Sequence, residues 1–344
     1  MDEIMSAFCA VAPNTIKKIT LPIPEPDDYE VLVKNEACAF CNTTDKMVVN
    51  KLYGTKDYPV IFGHECFGRV IKLGKKVTKY KLGDRVICAN AVVKGYNGEY
   101  YSSWGGFAEY GIAGDLEAYL NDHGYIDEEN QYRNRYAANF IIPSDFDYEK
   151  AGLVFPLCEA ASAILQVGDI KGKNIVVIGT GIAGYFFNYF AKAYGAANVV
   201  CLGRRESRLV PAIKAGADNA FVDIDKAVEY LEDIGKADIV FECSGNWQVF
   251  DNGLPYLKEG GILADYAVPE QPYAINFKKM PKKYTNILIG PKVGDSIEFV
   301  CGKLRNNEVP VDIFLTHKWE FHQVPEAFEL VTRGDVIKGL VYIS

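Results

Sequence analysis

Cys41 and the adjacent pair His64-Glu65 are the side chains of this sequence best suited to hold a transition metal. A thiolate and an imidazole are soft to borderline donors that suit zinc, and a neighbouring carboxylate extends the set. The pair stands in Gly63-His64-Glu65, followed by Gly68 and by the turn Gly83-Asp84-Arg85-Val86. Further along, Ile175-Val176-Val177-Ile178 runs into Gly179-Thr180-Gly181-Ile182-Ala183-Gly184. An apolar strand entering G-x-G-x-x-G and then a helix is a cradle for a dinucleotide pyrophosphate. Metal donors first and nucleotide cradle second point to an oxidoreductase, in which a metal polarises an oxygen and a nicotinamide carries hydride.

Each glycine of the second motif has a physical task. Gly179 permits the tight turn, Gly181 lets the backbone approach the pyrophosphate, and Gly184 lets helix and strand pack closely; Ile182 and Ala183 open the helix. The plain alternative is a glycine-rich turn without a ligand, but the strand before it and the helix after it argue against that. NAD sites place an acid about 20 residues on, where it meets the ribose 2′-hydroxyl. Here that place reads Leu202-Gly203-Arg204-Arg205-Glu206-Ser207-Arg208. Gly203 leaves room for a 2′-phosphate, and Arg204, Arg205 and Arg208 can bind one; the alternative is a solvated basic loop. The expected cofactor is NADP(H).

These residues need rigid elements to hold them. The chain has 344 residues, enough for two buried cores, and its 49% hydrophobic and 24% charged content is that of an ordinary globular protein. Residues 1 to about 110 alternate short β-like runs with turns, such as 29–34 and 68–74, and imply a small irregular barrel. An excursion over 93–139 carries Tyr96, Tyr100, Tyr101, Tyr110, Tyr119, Tyr125, Tyr132 and Tyr136 and an acidic patch Asp127-Glu128-Glu129. Its aromatic content predicts an ordered segment, helical near 115–121, whose tyrosines serve packing rather than substrate binding. Beyond it, strands at 174–178, 198–202, 220–222, 237–242, 261–266 and 287–289 alternate with helices such as 182–194 and 208–215, the pattern of a doubly wound parallel sheet. The apolar run Gly339–Ile343 predicts a final strand returning to the first module.

A net charge of −8 without a basic stripe excludes a nucleic-acid partner. The acidic start Met1-Asp2-Glu3-Ile4 lacks the pattern of a secretory signal, no apolar run approaches the ~20 residues that span a bilayer, and nine scattered cysteines favour reduced thiols. A cytoplasmic protein with no membrane partner is expected.

Taken together, Val31–Lys34, Gly63-His64-Glu65 with Gly68 and Val70, Gly83–Val86, Gly105–Tyr110 and the nucleotide motif resemble the medium-chain dehydrogenase/reductase superfamily, in its zinc alcohol and polyol dehydrogenase branch. The resemblance spans nearly the whole chain. It implies an α/β fold with a GroES-like β-barrel catalytic domain (1–150), a Rossmann dinucleotide-binding domain (151–294) and a C-terminal return to the catalytic domain (295–344). It further implies a homodimer or homotetramer acting on a small alcohol or ketone, a polyol, sugar or cyclitol type being plausible for this branch. Cys41 and His64 match the zinc ligands, Glu65 the adjacent acid, and Thr43 the hydroxyl that meets the substrate oxygen and relays its proton. Lys46 falls where many members carry a relay histidine.

The family's third ligand aligns with Phe155-Pro156-Leu157, and Phe cannot coordinate. Cys158 and Glu159 follow within a helical turn; Glu159 is the expected ligand because it restores a carboxylate, Cys158 is the alternative, and loss of zinc is the third reading. A second, structural zinc needs four close cysteines, whereas only Cys88 lies between Val86 and Gly105, so one zinc is expected. The rivals to a zinc-assisted alcohol dehydrogenase are a zinc-free reductase of activated C=C bonds or quinones, and a non-catalytic NADP(H)-binding protein.

Overall fold

The computed structural model describes residues 3–344 except 53–56, 88–89, 92–99, 103, 125–135, 247–253, 268–277 and 279. Cys88, Tyr96, Tyr125, Tyr132 and the patch Asp127-Glu128-Glu129 lie outside the described residues. The chain forms two compact units: Met1–Pro156 with Cys301–Asn306 and Leu315–Ser344, and Leu157–Val300 with Asn307–Phe314.

The first unit is built of short strands: β1 (Ile4–Ala12), β2 (Thr15–Pro22), β3 (Glu30–Ala39), β4 (Val60–Ile61), β5 (Glu65–Leu73), β6 (Arg85–Ile87), β7 (Tyr101–Ser102), β8 (Tyr110–Gly114) and β9 (Ile141–Ile142), with helices α1 (Thr44–Val49), α2 (Leu116–His123) and the start of α3 (Tyr148–Ile164). β3 is buried along nearly its whole length because it pairs with β5, β8 and the last strand of the chain. Phe40, Phe62 and Phe107 fill the interior, with Phe107 ring centroids 4.5 Å from Phe40 and 4.9 Å from Phe62. Their burial anchors the ends of β3 and β4, from which the polar residues of the site project.

The second unit is one parallel sheet. Its strands are β10 (Asn174–Ile178), β11 (Asn198–Leu202), β12 (Asn219–Phe221), β13 (Ala237–Glu242), β14 (Leu257–Asp265) and β15 (Thr285–Leu288), with helices α4 (Ile182–Ala193), α5 (Leu209–Lys214) and α6 (Ile224–Ile234) between the first of them. The order is β12-β11-β10-β13-β14-β15, so the winding reverses between β10 and β13. Val176, Val177 and Ile178 have no exposed surface, as befits a central parallel strand covered on both faces. The remaining elements are α7 (Ile297–Arg305), α8 (Val311–Phe314), β16 (His317–Glu320), α9 (Val324–Arg333) and β17 (Gly339–Tyr342). β17 pairs antiparallel with β3, so the apolar run at 339–343 does return to the first sheet.

Two details differ from the sequence expectation. β14 begins at Leu257 rather than 261, because Leu257 pairs with Ala237 before an irregularity at Lys258–Gly261 that two glycines make. The segment Tyr148–Val167 forms 20 helical residues apolar enough to cross a membrane, but 78% of it is buried inside the protein, as in a core helix. Pro156 sits within α3 at the point where one unit gives way to the other, and it removes one helical hydrogen bond there.

The described part of the Tyr-rich excursion is packed. Tyr119 and Tyr136 are buried, and the Tyr136 hydroxyl donates to Glu30. Asp115 ties the segment down: its carboxylate accepts from the amides of Ala118 (3.0 Å), Thr78 (2.7 Å) and Lys79 (2.8 Å), which caps α2 and clamps it to the 74–80 turn. Burial pushes the Asp115 carboxyl up, but these amides hold it below the ordinary carboxylate value. Its contribution to stability is therefore present above the unfolded value near 3.8 and is lost as pH falls through the lower folded one. Asp115→Ala is expected to cost on the order of 3 kcal/mol at pH 7, read by urea unfolding, and Asp115→Asn less. An unchanged midpoint in Asp115→Ala would show that the clamp does not hold the excursion.

Candidate active site

The metal donors converge in the first unit. Donor atoms of Cys41, His64 and Glu65 all lie within 4.8 Å of one another. Cys41 lies between the buried strand β3 and α1, in a turn closed at both ends: the Asp45 amide donates to the Cys41 carbonyl (3.1 Å), and the Cys41 amide donates to Asp45 Oδ2 (2.9 Å). His64 lies between β4 and β5, where the Gly106 and Phe107 amides donate to the Gly63 and Phe62 carbonyls at 2.7 and 3.1 Å. Glu65 is the first residue of β5.

The surroundings fit a divalent cation. His64 Nε2 is 3.9 Å from Glu65 Oε1, while Nδ1 is 3.6 Å from Asp45 Oδ1, so one ring nitrogen faces the donors and the other a carboxylate. A carboxylate behind a ligating imidazole fixes its tautomer and raises its basicity. Burial pushes His64 down, yet the Asp45 carboxylate and the Cys41 sulfur outweigh it and raise the imidazole well above its ordinary value. The neighbours of the ring thus favour positive charge on it. The Lys338 ammonium forms an ion pair with Glu65 Oε2, both side chains being at most 2% exposed. The Asn42 amide donates to the carbonyls of Val336 (2.9 Å) and Ile337 (3.0 Å), which fixes the segment carrying Lys338. Trp104 and Phe155 flank the imidazole with ring centroids 5.1 and 5.9 Å away. Trp104 has φ +61°, a left-handed strain of the kind that persists where the surroundings demand it.

The dinucleotide residues converge in the second unit. Gly179 has φ +123°, and a Cβ on Gly184 would lie 1.8 Å from the Gly179 carbonyl, so the helix–strand approach excludes any side chain there. Above Gly181 a Cβ would meet nothing within 4 Å, which leaves the open face a pyrophosphate needs. Ile182 and Ala183 begin the 12-residue α4, whose N-terminus has no side-chain cap and presents its amides to an anion. Gly203 abuts the Thr180 side chain: a Cβ would come within 2.4 Å of it. Arg208 Nη1 donates to the Thr180 carbonyl at 3.3 Å, and the Tyr185 hydroxyl donates to the Arg208 carbonyl at 2.9 Å. Arg204 and Arg205 stand exposed at the end of β11.

Residues 27–119 match the alcohol dehydrogenase GroES-like domain family, and residues 183–299 match the zinc-binding dehydrogenase family. The chain belongs to the zinc-type medium-chain dehydrogenase/reductase superfamily. It is 29% identical to sorbitol dehydrogenase of Bacillus subtilis (strain 168), over 97% of this chain and 96% of that one. It shares the fold of an alcohol dehydrogenase from Escherichia coli CFT073 complexed with NADH (TM-score 0.79, 19% identity, 99% of each chain). A protein of Sinorhizobium meliloti 1021 bound to NADP has it too (TM-score 0.76, 21% identity, 99% of this chain and 100% of that one). This is an alcohol dehydrogenase-type oxidoreductase.

Within that superfamily the site has its own character. Three of the four expected metal residues are brought together, while Glu159, half-buried on α3 in the second unit, is not among the clustered donors. Phe155, at the place where the resemblance expected a third ligand, packs edge-on against His64. Cys158 is fully buried in the second unit. Thr43 is exposed at the N-cap of α1, and its hydroxyl caps nothing. Lys46 is half-buried on the same helix.

Asp45, Trp104 and Lys338 belong to the site but carry no local motif. Only Asp45, four residues after Cys41, offered a signal: a carboxylate one helical turn from a ligand. Asp45→Asn is expected to weaken zinc binding about 10- to 100-fold, as outer-shell losses do, measured by competition with a chromogenic chelator. Unchanged affinity would remove Asp45 from the metal's support.

Proposed function

We propose that this protein is an NADP(H)-dependent, zinc-assisted dehydrogenase that interconverts a secondary alcohol and its ketone, with a hydroxyl-rich substrate of the polyol, sugar or cyclitol type. The observation that carries the reading is the buried sulfur–nitrogen–oxygen donor set of Cys41, His64 and Glu65, backed by Asp45, in a chain that also holds an open dinucleotide cradle.

Zinc in that set supplies Lewis acidity, which lowers the pKa of an alcohol and stabilises charge developing on its oxygen. A nicotinamide bound at the cradle would supply or accept hydride. The chain's own residues do the rest. Cys41 and His64 hold the metal, and Asp45 keeps the imidazole in one tautomer. Glu65 stands ready as a further oxygen donor, its charge balanced by Lys338. Trp104 and Phe155 line the imidazole with apolar surface, which excludes water and strengthens electrostatics. Thr43, its hydroxyl unspent on capping, passes the substrate proton outward. Glu159 is proposed as the remaining donor on chemical grounds, a carboxylate replacing the carboxylate that Phe155 displaces.

NADP(H) is favoured because Gly203 leaves no acid to meet a ribose and because Thr180 occupies the space a longer residue would need. The exposed Arg204 and Arg205, just beyond β11, are the cations placed to meet the 2′-phosphate. Arg204→Ala should weaken NADPH selectively, by about 1.5–3 kcal/mol for one charged hydrogen bond, while NADH changes little. Equal titration curves of the unmodified protein for NADPH and NADH would sink the cofactor assignment.

Elemental analysis should find one zinc per chain. No zinc in an active protein would favour the zinc-free reductase, and two would show a second site. Glu159→Ala should lose zinc and activity while keeping dinucleotide affinity, and Cys158→Ser should be mild. Zinc kept in Glu159→Ala but lost in Cys158→Ser would give the role to Cys158, and full zinc and activity in both would leave it to Glu65 or to a residue elsewhere.

A further inference from the structure

We infer that Glu242 is a positioning residue for the nicotinamide half of the dinucleotide. Its buried carboxylate sets the shape of the 243–246 loop, which borders the crevice at the ends of β10 and β13. The inference rests on the dinucleotide reading proposed above.

The sheet reverses its winding between β10 and β13, and ligands of doubly wound sheets bind beyond the strand ends at such a point. Ile178 and Glu242, the last residues of the two strands, are paired across it. From there the first glycine turn leaves one strand and the 243–246 loop leaves the other, and the two are in contact. The Cys243 amide donates to the Ile178 carbonyl at 2.9 Å, and a Cβ on Gly179 would lie 3.1 Å from the Cys243 backbone and 3.2 Å from the Ser244 nitrogen. β11, which leads into Gly203 and Arg204, flanks β10 on the opposite side. A dinucleotide with its pyrophosphate at Gly181 and its adenosine ribose at β11 therefore runs its other half toward β13 and this loop.

Glu242 folds back beneath the loop. Its Oε1 accepts from the Ser244 amide (2.8 Å), the Gly245 amide (3.0 Å) and the Ser244 hydroxyl, and its Oε2 lies 3.1 Å from the Gly245 nitrogen. The Asn246 amide continues the chain of bonds by donating to Ser244 Oγ at 3.1 Å. Gly245 turns at φ +60°, the left-handed region that glycine adopts readily. The side chain is 1% exposed, and burying an anion is costly unless its oxygens are met. Burial raises the carboxyl above its ordinary value, and the Ser244 and Gly245 donors work against that rise. A strand end that needed only packing would carry an apolar residue. An ionised carboxylate is the acceptor-only group that can take two successive amides and a hydroxyl together, so its role is the shape of the loop.

The test compares dinucleotides with adenosine halves. Binding of NADPH, NADH, 2′,5′-ADP and 5′-AMP is measured by calorimetry in the zinc-loaded protein and in Glu242→Gln, which keeps size but turns one acceptor into a donor facing amides. The expected result is at least about a tenfold loss for the preferred dinucleotide, roughly one charged hydrogen bond, with less than about a twofold change for its adenosine half and unchanged zinc content. Equal losses for whole and half ligands, or no loss for either, overturn the inference. If Glu242→Gln does not fold, Ser244→Ala removes one donor to the same carboxylate and should shift the same ratio in the same direction; no shift there overturns it. If the unmodified protein binds neither dinucleotide, the cofactor reading falls and this inference with it.

Discussion

An imidazole, two carboxylates and an ammonium are buried together at the end of an apolar barrel, and each must find a counter-charge or a ligand there. His64, Glu65, Asp45 and Lys338 are all at most 6% exposed, with the Cys41 sulfur among them. Charge in such surroundings is tolerated only when it is paired or coordinates a cation. That demand explains the local structure. Asp45 closes the Cys41 turn and backs His64, Lys338 is fixed through Asn42 and lies on Glu65, and the phenylalanine core holds β3 and β4 against one another. What remains unbalanced is electron-rich, and a divalent cation is the partner it suits.

The same logic of charge at strand ends governs the second unit, with backbone amides in place of side chains. The uncapped N-terminus of α4 and the bare face of Gly181 form a site for an anion that the sheet itself cannot supply. On one side of it a missing carboxylate at Gly203 opens the loop to the arginines. On the other a retained carboxylate at Glu242 draws the next loop inward. One acid removed and one acid buried give the two sides of the crevice different characters.

Much of this was legible in the residues themselves. β10, β11 and β13 fall where their apolar runs begin and end, because a central parallel strand must be apolar on both faces. Cys41, His64 and Glu65 were readable as donors, and the structure gathers them. Lys338 and Trp104 were not, since their meaning lies in contacts far apart along the chain: Lys338, just before β17, meets Glu65 at the start of β5. β14 was read short because glycines at its irregularity hide its start. Phe155 was seen as a non-ligand, but its packing on His64 is tertiary and left no periodic trace.

The central claim is that Cys41 and His64 hold a catalytic zinc in a mixed donor set. Zinc-edge X-ray absorption of the purified protein tests it directly. The account predicts one sulfur at about 2.3 Å, with the other scatterers nitrogen or oxygen at about 2.0–2.2 Å. A shell of four sulfurs, or one with no sulfur at all, would contradict it.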